Sequence, residues 1–217
     1  MSEEYNTMNE SNPEPALNNN PAGLVDRAKN ILMNSKEEWS VVASEAPNVG
    51  GIITGYVIPL SLIPAVATFL ALTVVGGSVG MAFGIGQAIL ALVVAIVGVL
   101  LSAAIINALS GTFDSRNDFG RALQLVAYAS TPSWVLGILN IIPGLNIVVA
   151  LGAMVWSVYL FYLGLNPVML TPKGKEVGYM IVSAIILVVV YFVLFFVLGL
   201  IFVAIFGLGA ASSVMYR

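Results

Sequence analysis

The chain has 217 residues, 59% of them hydrophobic and 9% charged, with a formal net charge of −3. A soluble domain carries about 25% charged residues, so this chain has too few charges to wet a protein surface of its size, and hydrocarbon is its natural solvent. It holds no cysteine and no histidine, which excludes disulfides, thiolate chemistry and imidazole metal ligands.

Residues 1–22 are rich in Asn, Glu and Pro, with Glu3, Glu4, Glu10 and Glu14 and no base. They read as a disordered acidic tail. No signal peptide is expected, and the first apolar span would serve as an uncleaved insertion signal. Residues 23–46 change character. Leu24, Val25, Ala28, Ile31 and Leu32 fall on one face of a helix, and Asp26, Arg27, Lys29 and Asn30 face away. Ser35 to Glu38 reads as a capping box that opens a second short helix carrying Trp39, Val41 and Val42. Basic residues flank the apolar stripe. Both helices are therefore expected either in the membrane interface, with Trp39 as anchor, or packed against the helix bundle.

From Ala46 to Phe113 no residue is charged, a stretch long enough for two spans at about 20 residues each. They are placed at 54–75 and 81–108, hinged at Gly76-Gly77-Ser78-Val79-Gly80, with Pro59 and Pro64 kinking the first. A polar loop with Asp114, Arg116, Asp118 and Arg121 follows. Spans three and four, at 122–139 and 147–164, are parted by the turn Asn140–Asn146, and Pro132 bends the third. After Lys173, Lys175 and Glu176, a fifth span runs over 178–206 and stops at Gly207-Leu208-Gly209. The expected fold is all-α: residues 47–217 form a polytopic bundle of five transmembrane helices, preceded by an interfacial amphipathic helix. Seven of the eight basic residues fall in the N-terminal region, loop 2–3 and loop 4–5. Basic residues gather on the cytoplasmic side, so the N-terminus is expected there and the C-terminus outside. The terminal Arg217 alone opposes this count.

The spans lack Asp, Glu, Lys, Arg and His. Proton relays, voltage sensors and intramembrane proteases of the aspartyl or zinc type need such groups at membrane depth. The Gly76–Gly80 turn lacks the lysine of a phosphate-cradling loop. Asp114 and Asp118 read as a solvated loop balanced by Arg116 and Arg121 rather than a metal pair. No catalytic residue, cofactor, metal or nucleic-acid partner is expected. The expected partners are the lipid bilayer and either other proteins or a second copy of the chain.

Two patterns stand out. On span two, Gly80, Gly84, Ala88, Ala91, Ala95, Gly98 and Ser102 form one small-residue face, which lets backbones approach closely where lipid supplies no hydrophobic drive. It reads as internal packing, with self-association as the second reading. On span three and its ends, Gln124, Tyr128, Ser130, Thr131, Ser133, Asn140 and Asn146 gather uncharged polar groups. Thr131-Pro132 frees the carbonyl of residue 128, which nearby hydroxyls can satisfy. The cluster reads as a kinked, packed helix, with a small polar cavity as the second reading. Trp134, Trp156, Tyr159 and Tyr162 are expected as interface or packing aromatics.

Three segments resemble the Yip1 domain family: the lead-in to Asn34-Ser35-Lys36-Glu37-Glu38-Trp39; Tyr128-Ala129-Ser130-Thr131-Pro132, preceded by Asn107 and Gly111–Phe113; and Tyr162-Leu163-Gly164-Leu165 ahead of a Lys-containing loop and Tyr179. In bacterial members a proline commonly stands where this chain has Ser35. The resemblance implies five spans with a cytoplasmic N-terminus. Eukaryotic relatives bind Rab-type GTPases and act in ER–Golgi vesicle traffic; the long N-terminal domain of many of them is not expected here, nor therefore GTPase binding, and the chain looks more like a bacterial inner-membrane member. The expected role is a non-enzymatic scaffold that organises membrane or partner proteins. The alternative is a small transporter or channel using the polar cluster of span three.

Overall fold

The computed structural model describes residues 23–142 and 144–204. The acidic tail 1–22, the stop at Gly207–Gly209 and the terminal Arg217 lie outside them. Helix α1 (Leu24–Met33) and helix α2 (Ser35–Ser44) are parted by Asn34 alone. Five helices long and apolar enough to cross a bilayer follow: Val49–Gly77, Gly80–Phe113, Phe119–Ile141, Asn146–Met169 and Glu176–Ile201, spans one to five below. The described residues contain no strand, so the fold is the expected all-α membrane bundle.

Local chemistry sets the helix breaks. Asn48 caps span one, its side chain accepting from the Gly51 amide at 2.9 Å. A π-helical turn, Ile53–Val57, stands directly before Pro59, whose ring nitrogen has no hydrogen to donate to the preceding turn. The break between spans one and two falls on Gly77, at φ 57 and ψ −134, a conformation open to glycine and costly for other residues. Span two then returns along span one at close range. A Cβ on Gly80 would stand 2.1 Å from the Leu72 carbonyl oxygen, and one on Gly84 would stand 3.1 Å from the Phe69 ring.

Span three is the buried centre. Every residue from Ala122 to Ala129 is buried, whereas span five turns Val188, Phe192, Phe196 and other large apolar side chains outward. Span three is also broken: Phe119–Ala129 ends at Ser130, Thr131–Leu136 restarts with Pro132 in its first turn, and a 3-10 segment, Gly137–Ile141, finishes it. Proline fits the first turn of a helix because no amide hydrogen is needed there.

The ends of the bundle sort by charge. The Arg116 amide donates to the Met169 carbonyl at 2.7 Å, Ser115 Oγ donates to Thr171 Oγ1 at 3.0 Å, and Lys175 pairs with Asp114. Loops 2–3 and 4–5 therefore touch. Arg121, at the start of span three, reaches the end of α2. The three basic regions thus share one end of the bundle. Asp118 caps span three by accepting from the Arg121 amide at 3.1 Å; with Asp114 engaged by Lys175, the described residues contain no cluster suited to a metal ion.

Two sequence expectations change. The helices start earlier than the apolar runs suggested, which draws Arg121 and Glu176 into the first turns of spans three and five. The capping box does not form: Ser35 Oγ donates back to the Ile31 carbonyl at 2.7 Å, and Glu38 is taken by Arg27. With one residue between α1 and α2, the last free carbonyls of α1 lie within reach of Ser35.

The chain is cysteine-free, so single cysteines report sidedness cleanly. Asn117→Cys and Lys173→Cys should react with an impermeant maleimide from one side of the membrane and Val74→Cys from the other; labelling of residues 117 and 173 from opposite sides would refute this packing.

Candidate functional site

Three of the charged residues ahead of the first span, Arg27, Glu38 and Glu45, fold into one contact. α1 turns Arg27, Ala28 and Ile31 inward and leaves Val25 74% exposed. This corrects the outward assignment of Arg27 from periodicity. A guanidinium enters a core when carboxylates neutralise it and its five donors are met. Arg27 Nη1 donates to Glu38 Oε1 of α2 at 2.6 Å, and Nη2 donates to Glu45 Oε1 just past α2. Its side chain is 3% exposed. The guanidinium carbon stands 5.4 Å from the centroid of the Tyr128 ring on span three, a cation–π contact. Burial works against the Arg27 charge, but the hydrogen bond to Glu45 and the fields of Glu45, Tyr128 and Glu38 outweigh it and hold the guanidinium above its ordinary value.

A second cation closes the joint. Arg121 Nη1 donates to the carbonyls of Val42 and Ala43 at 3.1 and 3.0 Å, and to Gln124 Oε1 at 3.3 Å. Arg121 thereby satisfies the open C-terminal carbonyls of α2, where the helix dipole favours a cation. Two arginines and two glutamates make the assembly neutral.

Trp39 is 0% exposed. It packs against Tyr128, with ring centroids 6.4 Å apart, and against Gly164 of span four. A Cβ on Gly164 would stand 2.5 Å from Leu125 and 2.9 Å from the indole. Trp39 is therefore a core wedge between α2 and spans three and four, not an anchor exposed at the interface. Of the two readings for residues 23–46, the geometry is that of packing against the bundle.

The polar cluster of span three divides. Thr131 Oγ1 donates to the Tyr128 carbonyl at 2.6 Å. With that proton committed, Tyr56 of span one is the donor in its 2.7 Å bond to Thr131 Oγ1. The carbonyl freed by Pro132 is thus satisfied within the bundle. Tyr56 and Tyr128 also meet edge to face, with centroids 4.8 Å apart. Gln124, Tyr128, Thr131 and Pro132 are all buried. Asn140 is not brought to them; it is half-exposed in the 3-10 segment. Trp134 is buried, whereas Trp156, Tyr159 and Tyr162 are exposed on span four.

The small-residue face of span two serves several neighbours. Gly80 and Gly84 meet span one, while Gly98 and Ser102 meet Tyr191 of span five, the two hydroxyls standing 3.2 Å apart. Ala88 is half-buried, and Ala91 and Ala95 border a cavity of about 440 Å³.

Sequence reasoning missed Arg27, Glu38, Glu45, Tyr56 and Arg121 as a site. Their contacts join segments up to 79 positions apart, and helical periodicity reports only neighbours on one helix. The one local signal was that Arg27, Glu38 and Glu45 stand just ahead of the long charge-free run.

The chain belongs to the Yip1 domain family: the family's sequence model matches residues 29–197. The match covers α2, all of spans one to four, most of span five and all but the first five residues of α1, Leu24–Ala28. The family is generally non-enzymatic. No curated protein matches the chain, and no solved structure matches it.

Arg27→Met should cost about 3–5 kcal/mol, because it leaves the buried Glu38 and the half-buried Glu45 carboxylates unpaired; thermal unfolding in detergent would measure it. Arg27→Lys should recover only part, since an ammonium cannot reproduce the fork. A group whose pKa rises on folding stabilises at every pH below its unfolded value and loses that contribution only as pH climbs through the folded one. The Arg27 contribution should therefore persist through mildly alkaline pH. Tyr56→Phe should cost about 1 kcal/mol.

Proposed function

We propose that this protein is a non-enzymatic scaffold of the membrane that presents a rigid platform at its basic end and organises membrane or partner proteins there. The observation that carries the reading is the Arg27–Glu38–Glu45 contact. It fastens α1 and α2 to span three while the outer face of α1 stays open, with Val25 74% and Met33 72% exposed and Lys29 and Lys36 beside them. Exposed Val25 and Met33, with Lys29 between them on one face and Asp26 beside it, suit the face of a partner helix. By the distribution of basic residues, the platform faces the cytoplasm of a cell membrane and the C-terminus lies outside.

A small-solute pathway is the second reading, favoured by Ser61, Thr68 and Gln87 around the 440 Å³ cavity. Reconstituted liposomes separate the two: the scaffold reading expects no solute flux above protein-free vesicles, and reproducible flux abolished by Gln87→Leu would reject it. Val25→Glu combined with Met33→Glu should abolish co-purification of partners in mild detergent while thermal stability stays unchanged; unchanged association would reject the platform.

A further inference from the structure

Spans four and five border a cleft of about 290 Å³. Ser157 and Val158 of span four, Ser183 and Ala184 of span five, and Ser102 and Ser130 line it. Val158 and Ala184 are exposed at the rim. Because this rim lies within two membrane-spanning helices, the molecules that reach it are those of the bilayer.

The hydroxyls in the cleft differ. Ser130 donates to the Val126 carbonyl, Ser102 pairs with Tyr191, and Ser157 pairs with Ser133. Ser183 is 1% exposed, and its Oγ has no hydrogen-bond partner among the described residues. A buried hydroxyl in hydrocarbon calls for a partner. Ser183 stands seven residues into the helix that begins at Glu176, which is about 10 Å along its axis. The hydrogen-bond acceptors that a bilayer glycerolipid carries nearest to that depth are its ester carbonyls.

The geometry points to a lateral lipid site: one acyl chain of a bilayer glycerolipid lies in the cleft between spans four and five, and its ester carbonyl accepts a hydrogen bond from Ser183. The apolar walls take the chain and the single free hydroxyl takes the carbonyl. The phosphate lies outside the cleft, toward loop 4–5, and contributes no contact to the site.

Native mass spectrometry of the full chain in detergent tests this, using dioleoyl phosphatidylglycerol and its ether-linked analogue. The wild-type chain should retain one ester lipid. Ser183→Ala should retain about threefold to tenfold less, the effect of one hydrogen bond. The ether lipid, which has no carbonyl, should bind the wild-type chain as weakly as the ester lipid binds Ser183→Ala. Ala184→Trp, which fills the cleft from its rim, should also lose the lipid. Undiminished retention in Ser183→Ala or in Ala184→Trp, or equal retention of the ether lipid, overturns the site. Loss of retention when the headgroup is changed to phosphatidylethanolamine would assign the lipid to the basic end of the bundle and overturn it as well.

Discussion

A guanidinium withdrawn from water must find its counter-charges inside the protein, and that requirement on Arg27 organises the basic end of the molecule. Glu38 and Glu45 neutralise it, and the Tyr128 ring supports its face. These partners come from α2, from the segment beyond α2 and from span three, so one side chain fixes three pieces of chain at once. The position of α2 then fixes Trp39, and the indole occupies the space that Gly164 leaves open on span four. Replacing such a charge assembly with apolar residues can be neutral for stability, whereas breaking it is costly. Its contribution is therefore best understood as fixing where the N-terminal helices sit.

The same accounting holds deeper in the bundle, with hydroxyls in place of charges. Span three is broken near Pro132, and a broken helix in hydrocarbon exposes backbone groups that water cannot reach. Tyr56 and Thr131 meet that need in sequence, each giving its proton to the next acceptor. The arrangement works because span three is surrounded by protein. The outer spans could not carry such a break facing lipid, and spans two, four and five place their large apolar side chains outward.

The basic end is cross-linked by ion pairs and hydrogen bonds between loops, suited to holding a fixed surface toward other molecules. Farther into the bundle lie two open spaces. Tyr191 borders both the 290 Å³ cleft and the 440 Å³ cavity, and fills the space that Gly98 leaves on span two.

Composition and periodicity determined the class of this protein and the number of its spans. Runs of charge-free sequence can fold only in lipid, and glycine and proline mark where a hydrogen-bonded helix must stop; Gly77 and Pro132 broke their helices close to where the pattern placed them. Basic residues likewise revealed which loops share an end. Tertiary structure alone decided the direction of Arg27, the burial of Trp39 and the use of Glu38 against an arginine rather than a helix cap. Periodicity ranks side chains by polarity on one helix, whereas burial of a charge depends on what another segment brings to meet it. Arg27 reads as a surface residue until Glu45 and Tyr128 arrive from elsewhere in the chain, and only the folded bundle brings them together.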